Sequence, residues 1–298
     1  MEAAFILARF LQYAAASVLF GSTLLLLWAG LELRATKPLL AAAGVGLALA
    51  GAVGLGAQTA LLTGSLADAL RLETLTLVMQ SMAFGPAAVV RIIMGLAATL
   101  IILGLPSSRQ TLTAILACGA VASISFAWSG HAAATEGSLG TLHLASDAAH
   151  ALAATGWVGA LIVFLLMAAR VFGSTVKVAS LAHVLRRFSP LGILLVAVLV
   201  VTGLVNSWLI IGFRAWQIAS TTYGMLLIAK LAAFALMLAL AAYHRQRLVP
   251  ALVRNGTTDG GLEHPSPRRA RWSLTSETLA GLAILALVAI LGTLSPLD

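Results

Sequence analysis

The sequence predicts an all-α, polytopic membrane bundle of about eight transmembrane helices with both termini periplasmic, and three observations carry that prediction. Of 298 residues, 60% are hydrophobic and only 9% charged, with a mean hydropathy of +1.02, whereas soluble domains carry about 25% charged residues. Eight apolar runs have the length of about twenty residues that a helix needs to cross the hydrocarbon core. The basic residues fall on alternate loops, which fixes one side of the membrane. The alternating ten-residue strands of a transmembrane β-barrel are not found.

The first span is read over 4–30; MEAAFILARFLQYAAA has no basic leader before its apolar run, so a retained helix is expected rather than a cleaved signal peptide. The second, 38–62, carries the glycines of GVGLALAGAVGLGA, small residues that let helices pack closely. Within 65–83, SLADALRLETLTLVMQSM is too polar to span but amphipathic enough to lie along the surface, with Met79 and Met82 at i, i+3 on one face. The third span, 85–105, contains Arg91. The fourth, 110–130, contains the sole cysteine, Cys118, which rules out an internal disulfide or a CxxC motif, and leads into His131 at its outer end. The fifth, 142–169, opens with HLASDAAH. The sixth, 188–212, brings Asn206 and Trp208 to the outer side, with Trp216 just beyond. The seventh, 221–243, opens at Tyr223 and holds Lys230 about ten residues in. A basic, flexible loop is expected over 248–273. The eighth span, 276–296, follows SLTSE, which resembles a capping box with Glu277 as its first-turn carboxylate. The whole chain, 1–298, reads as a single transmembrane domain, with spans 1–4 in 1–140 and spans 5–8 in 141–298.

The loops joining spans 1–2, 3–4, 5–6 and 7–8 contain Arg34, Lys37, Arg109, Arg170, Lys177, Arg186, Arg187, Arg245, Arg247, Arg254, Arg268, Arg269 and Arg271, 13 of the 18 Lys and Arg. Cytoplasmic loops are enriched in such residues, so these loops face the cytoplasm of a bacterial cell and both termini face the periplasm. The net charge of +8 is thereby read as topology and contact with lipid headgroups rather than as nucleic-acid binding.

HLASDAAH places His143, Asp147 and His150 at i, i+4 and i+7, one stripe of a helix of about 3.6 residues per turn. Three ionisable groups on one stripe of a membrane helix mark a functional site. With outward orientation, His143 is expected at the periplasmic surface and His150 about 10 Å deeper. His131, Met79 and Met82 converge on the same side. Imidazole with carboxylate suits Cu(II), and imidazole with thioether suits Cu(I), so these six residues form a candidate copper-entry site. A plain structural role for each, as interfacial histidine, core methionine or hydrogen-bonded pair, stands beside that reading. Arg91 and Lys230, intramembrane cations that would be costly in lipid, are expected to face protein partners, with Asp147 the best-placed outer carboxylate.

The runs DAAHALAATGWVGALIVFLL, FSPLGILLVAVLVVTGLVNSW, YGMLLIAKLAAFALMLALAAYHRQRLVP and ETLAGLAILALVAILGTLSP resemble the CopD/PcoD copper-resistance membrane proteins over essentially the whole chain, most strongly from about 140 onward. The family pattern of acid, His and Trp-x-Gly falls on Asp147, His150, Trp157 and Gly159. The Tyr-Gly…Lys pattern falls on Tyr223, Gly224 and Lys230, though the usual Tyr-Gly-Arg start reads Tyr-Gly-Met here. The resemblance implies copper homeostasis at the bacterial inner membrane, with copper ion carried from periplasm to cytoplasm and a small periplasmic CopC-type copper-binding protein as partner. No enzymatic activity is implied, and no Walker A motif is present to drive a primary pump. Two alternatives use the same residues: a membrane b-type cytochrome, with haem held by His131 or His150 outside and by His183 and His244 inside, and a non-transporting copper sensor or assembly factor. In that reading His183 and His244 compete with their place in the basic loop sequences HVLRR and YHRQR.

Overall fold

A computed structural model describes residues 1–169, 175–212, 215–218, 220–248, 250 and 267–295, without the side chains of 131, 175–179, 215–216, 248 and 267–270. Arg170, Arg254 and most of the 248–273 loop, together with the side chains of Lys177, Trp216, Arg268 and Arg269, lie outside the described residues. Eight helices are long and apolar enough to cross a membrane: Glu2–Ala29, Lys37–Thr63, Phe84–Gly104, Arg109–Ser129, Gly137–Ala169, Ser180–Ile211, Thr222–Arg247 and Arg271–Leu291. These are spans 1 to 8 below. No strand occurs among the described residues, and the protein is an all-α polytopic bundle.

The helices overrun the apolar runs where polar residues continue the helix outside the hydrocarbon. Span 5 begins at Gly137 rather than 142. Span 8 belongs to a helix running from Pro267 to Leu291, which corrects the expected start at 276 and the expected capping box. By residue 277 the helix is fully formed, and the Glu277 carboxylate is turned to other partners.

Spans 1 and 5 are the most buried and span 7 the least. Span 1 touches spans 2, 4, 5 and 8; span 2 packs on 3, span 5 on 6, and span 7 on 8. The close fit of spans 1 and 5 comes from a π-turn, Val18–Ser22, which pushes its backbone toward Gly159. A Cβ on Gly159 would strike the Ser17 carbonyl and the Gly21 Cα, and Ser22 Oγ donates to the Gly159 carbonyl at 2.9 Å. Small residues at such a crossing let the backbones meet. The glycines of span 2 act in the same way: Gly44 and Gly95 of span 3 each lie against the other's backbone.

The 65–83 segment contains a capped turn, in which Ser65 Oγ accepts from the Asp68 N–H at 3.3 Å, and a helix, Leu72–Ser81. Val78 is buried while Leu66, Leu70, Leu72 and Leu77 are exposed, the pattern of a helix lying in the membrane interface.

Candidate functional site

The upper half of span 5 forms one wall of a cavity of about 210 Å³, closed by residues of spans 1, 6, 7 and 8. His143, Asp147 and His150 all line it, joined by Arg9, Tyr13, Asn206, Tyr223 and Lys230. The stripe therefore faces the protein interior.

His150 is the best-defined donor. Its Nδ1 lies 2.9 Å from Thr202 Oγ1 of span 6. The single hydroxyl hydrogen of Thr202 goes to the Val198 carbonyl, so Thr202 accepts and Nδ1 carries the proton. Nε2 is then the unprotonated nitrogen, the form that binds metals, and the Nδ1–H bond orients the ring as outer-shell partners of metal-bound histidines do. Asp147 accepts from Asn206 Nδ2 at 3.2 Å, which leaves the buried Asn206 Oδ1 without a hydrogen-bond donor.

His143 departs from expectation. It is 2% exposed, because the short turn His131–Ala134 and the strandless stretch after it fold over the start of span 5, and its Nδ1 lies 2.8 Å from Thr135 Oγ1. The backbone leading into that turn passes beside the stripe, since a side chain on Gly130 would touch Asp147 Oδ2 at 3.7 Å. The His131 side chain itself is outside the described residues. Met79 and Met82 line no part of the cavity; Met79 is half-buried on the surface helix and Met82 exposed at its end. Among the described residues no three His, Cys, Asp or Glu side chains converge closely enough to enclose a metal ion.

Arg91 is buried in a polar nest on the neighbouring helices. Its Nε donates to Gln12 Oε1 at 2.7 Å, Nη1 to the Ser125 carbonyl at 3.2 Å and Nη2 to Ser129 Oγ at 3.1 Å, with Phe126 under the guanidinium at 5.0 Å. Lys230 faces the cavity that holds Asp147 and His150. Arg9 joins it from span 1, donating to Tyr13 Oη at 2.8 Å and the Ser129 carbonyl at 3.2 Å. Sequence reading passed over Arg9, Gln12 and Tyr13, although their i, i+3, i+4 spacing inside an apolar run was a signal of the same kind as HLASDAAH.

A second polar cluster lies on the basic side. Glu277 is 2% exposed, with Oε2 2.9 Å from His244 Nδ1 and Oε1 accepting from Trp157 Nε1 at 3.3 Å; His244 Nε2 is 2.6 Å from Ser273 Oγ. This corrects two expectations, that Glu277 merely complements a helix dipole and that His244 is a loop residue. His183 is exposed, and of the two only His244 lines the adjoining cavity, so they are not paired as haem ligands there.

A family model described as copper resistance protein D-like, N-terminal domain, matches residues 1–141, and one described as copper resistance protein D matches residues 182–291. Copper resistance protein D of Pseudomonas syringae pv. tomato is 37% identical over 201 residues, which cover 67% of this chain and 64% of that protein. Inner membrane protein YebZ of Escherichia coli (strain K12) is 29% identical over 167 residues, 56% of this chain and 54% of its own length. The chain thus spans less than two thirds of the length of these curated relatives. No solved structure matches it.

Proposed function

The chain belongs to the copper resistance protein D family, multi-pass inner-membrane proteins with a role in copper homeostasis, and from that premise we propose that it captures copper ion on the periplasmic face and passes it toward the cytoplasm. The observation that carries this reading is His150: a buried imidazole whose tautomer is set by Thr202, in a polar cavity otherwise walled by apolar helices. Asp147 and His143 flank it on the same stripe, the backbone at Gly130 passes beside Asp147, and His131 is a proposed further ligand. Met79 and Met82, which do not line the cavity, belong to an earlier, surface step of capture. A periplasmic CopC-type protein is the proposed donor.

The charge of the cavity bears on the oxidation state. Arg9 and Lys230 line it together with the single carboxylate of Asp147. Coulomb repulsion scales with ion charge, so this setting disfavours Cu(II) relative to Cu(I). Imidazole ligands serve either ion. A non-transporting sensor would use the same capture site without passage, and uptake measurements separate the two. In liposomes holding the purified protein, externally added Cu(I) accumulates inside with the wild type and fails to accumulate with His150→Ala. Copper that binds to the wild type and never reaches the lumen would make the protein a sensor or assembly factor.

A further inference from the structure

Below the His150 cavity, span 5 presents Trp157, seven residues and about 10 Å further in. Trp157 packs edge-on against Phe234 of span 7, with ring centroids 6.1 Å apart. Trp157 also lines a cavity of about 950 Å³ whose walls are Phe164, Phe188 and Leu274 among others, with His244 and Glu277 as its buried polar groups. Arg186, Arg245 and Gln246 stand exposed at its basic-side mouth.

We infer that Ser273, His244 and Glu277 form a proton-loading site on the cytoplasmic side, whose state governs release of the cation. The inference deepens and rests on the passage reading above. Ser273 and His244 share a hydrogen bond, His244 Nδ1 pairs with Glu277 Oε2 at 2.9 Å without hydrogen-bond geometry, and Glu277 Oε1 accepts from Trp157, so the series runs inward from the cytoplasmic end of span 8. A buried carboxylate bonded to an imidazole is an expensive way to hold helices together, since apolar residues of the same volume do so at no desolvation cost. The pair is suited to protons rather than to metal: unlike His150, His244 has both ring nitrogens engaged, and no third ligand converges on it among the described residues.

The two states balance as follows. Unloaded, neutral His244 carries its proton on Nδ1 beside the Glu277 carboxylate and Nε2 accepts from the Ser273 hydroxyl, giving the cluster one negative charge. Loading adds one proton from cytoplasmic water to Nε2; the imidazolium then pairs with Glu277 and donates to Ser273, whose hydroxyl turns round, and the cluster is neutral. The negative state attracts a cation arriving past Trp157 and Phe234, and loading lets it go. Among the described residues, the other charged groups lining this cavity are Arg186 from span 6 and Arg245 from span 7, and the Tyr243 ring lies 6.3 Å from that of His244.

The test is copper uptake into liposomes at fixed external pH, with lumenal pH varied between about 6 and 8, where imidazole titrates. Right-side-out wild-type protein should lose uptake as lumenal pH rises. Glu277→Gln, which removes the negative state, should give a flat profile. A wild-type profile in Glu277→Gln overturns the proposal. Should Glu277→Gln not fold, Ser273→Ala keeps the pair and removes only the hydroxyl; its profile should shift, and an unchanged one overturns the proposal. No uptake by the wild type at any lumenal pH sinks the passage reading instead. The proton site is then read from the imidazole nitrogen resonances of His244, whose response to pH should differ between the wild type and Glu277→Gln; the same response in both overturns it.

Discussion

At the scale of single residues, the account turns on the pairing of His150 with Thr202. If Thr202 orients the metal-binding ring, removing its hydroxyl should weaken copper binding although Thr202 touches no metal. Thr202→Ala is expected to lower affinity by about 10-fold, the low end of the effect seen when outer-shell partners of ligands are lost. Thr202→Ser, which keeps the hydroxyl, should restore it; competition titration against a copper chelator checks both. Lys230→Met retains an unbranched chain of similar reach and removes the charge beside Asp147. It is expected to tighten Cu(I) binding by easing repulsion, and unchanged affinity and uptake would show that the ammonium plays no electrostatic part. The stripe His143, Asp147, His150 was legible because three ionisable groups at helical spacing stand out in an apolar background. The depth of His143 was not, since it depends on the 130–136 chain folding over it, and neither was Thr202, one hydroxyl among many that bond their own helix. Glu277 was visible but misread: SLTSE looks like a helix start only while the helix preceding it is unknown.

Among the elements, the crossing of spans 1 and 5 and the nest around Arg91 hold the cavity walls in place. Gly159→Val would drive a branched side chain into the Ser17 carbonyl and the Gly21 Cα. Overpacking of this kind costs about 1–3 kcal/mol or more, and a lowered melting temperature in detergent, with or without copper, is the expected result. Arg91→Met would leave Gln12 and the two serines of span 4 without their donor, at about 1–3 kcal/mol for buried groups left unsatisfied. Arg91→Lys should recover only part of this, because one ammonium cannot reproduce the fork that reaches Gln12, Ser125 and Ser129 together. The eight helices were legible from apolar length alone. The π-turn at Val18–Ser22 was not, because nothing in VLFGS breaks the helical pattern.

For the whole molecule, the even number of candidate spans among the described residues returns the last of them to the side where the first begins, and the distribution of basic loops predicts that this side is outward. Alkaline phosphatase fused after Asp298 should be active and the same enzyme fused within 251–266 inactive; the reverse result would put the His150 cavity on the cytoplasmic side. Of the two cavities that span 5 lines, only the outer one could be anticipated from sequence, since the inner one joins residues 157, 244 and 277 from three separate helices. The central claim is that the outer cavity binds copper through His150. Its most direct measurement is an anaerobic Cu(I) titration of the purified wild type and His150→Ala, with melting temperature followed in parallel. The account predicts affinity lower by about 100-fold in the variant, the upper end for a disturbed metal site, with its copper-free stability retained. Equal affinities in the two proteins would contradict it.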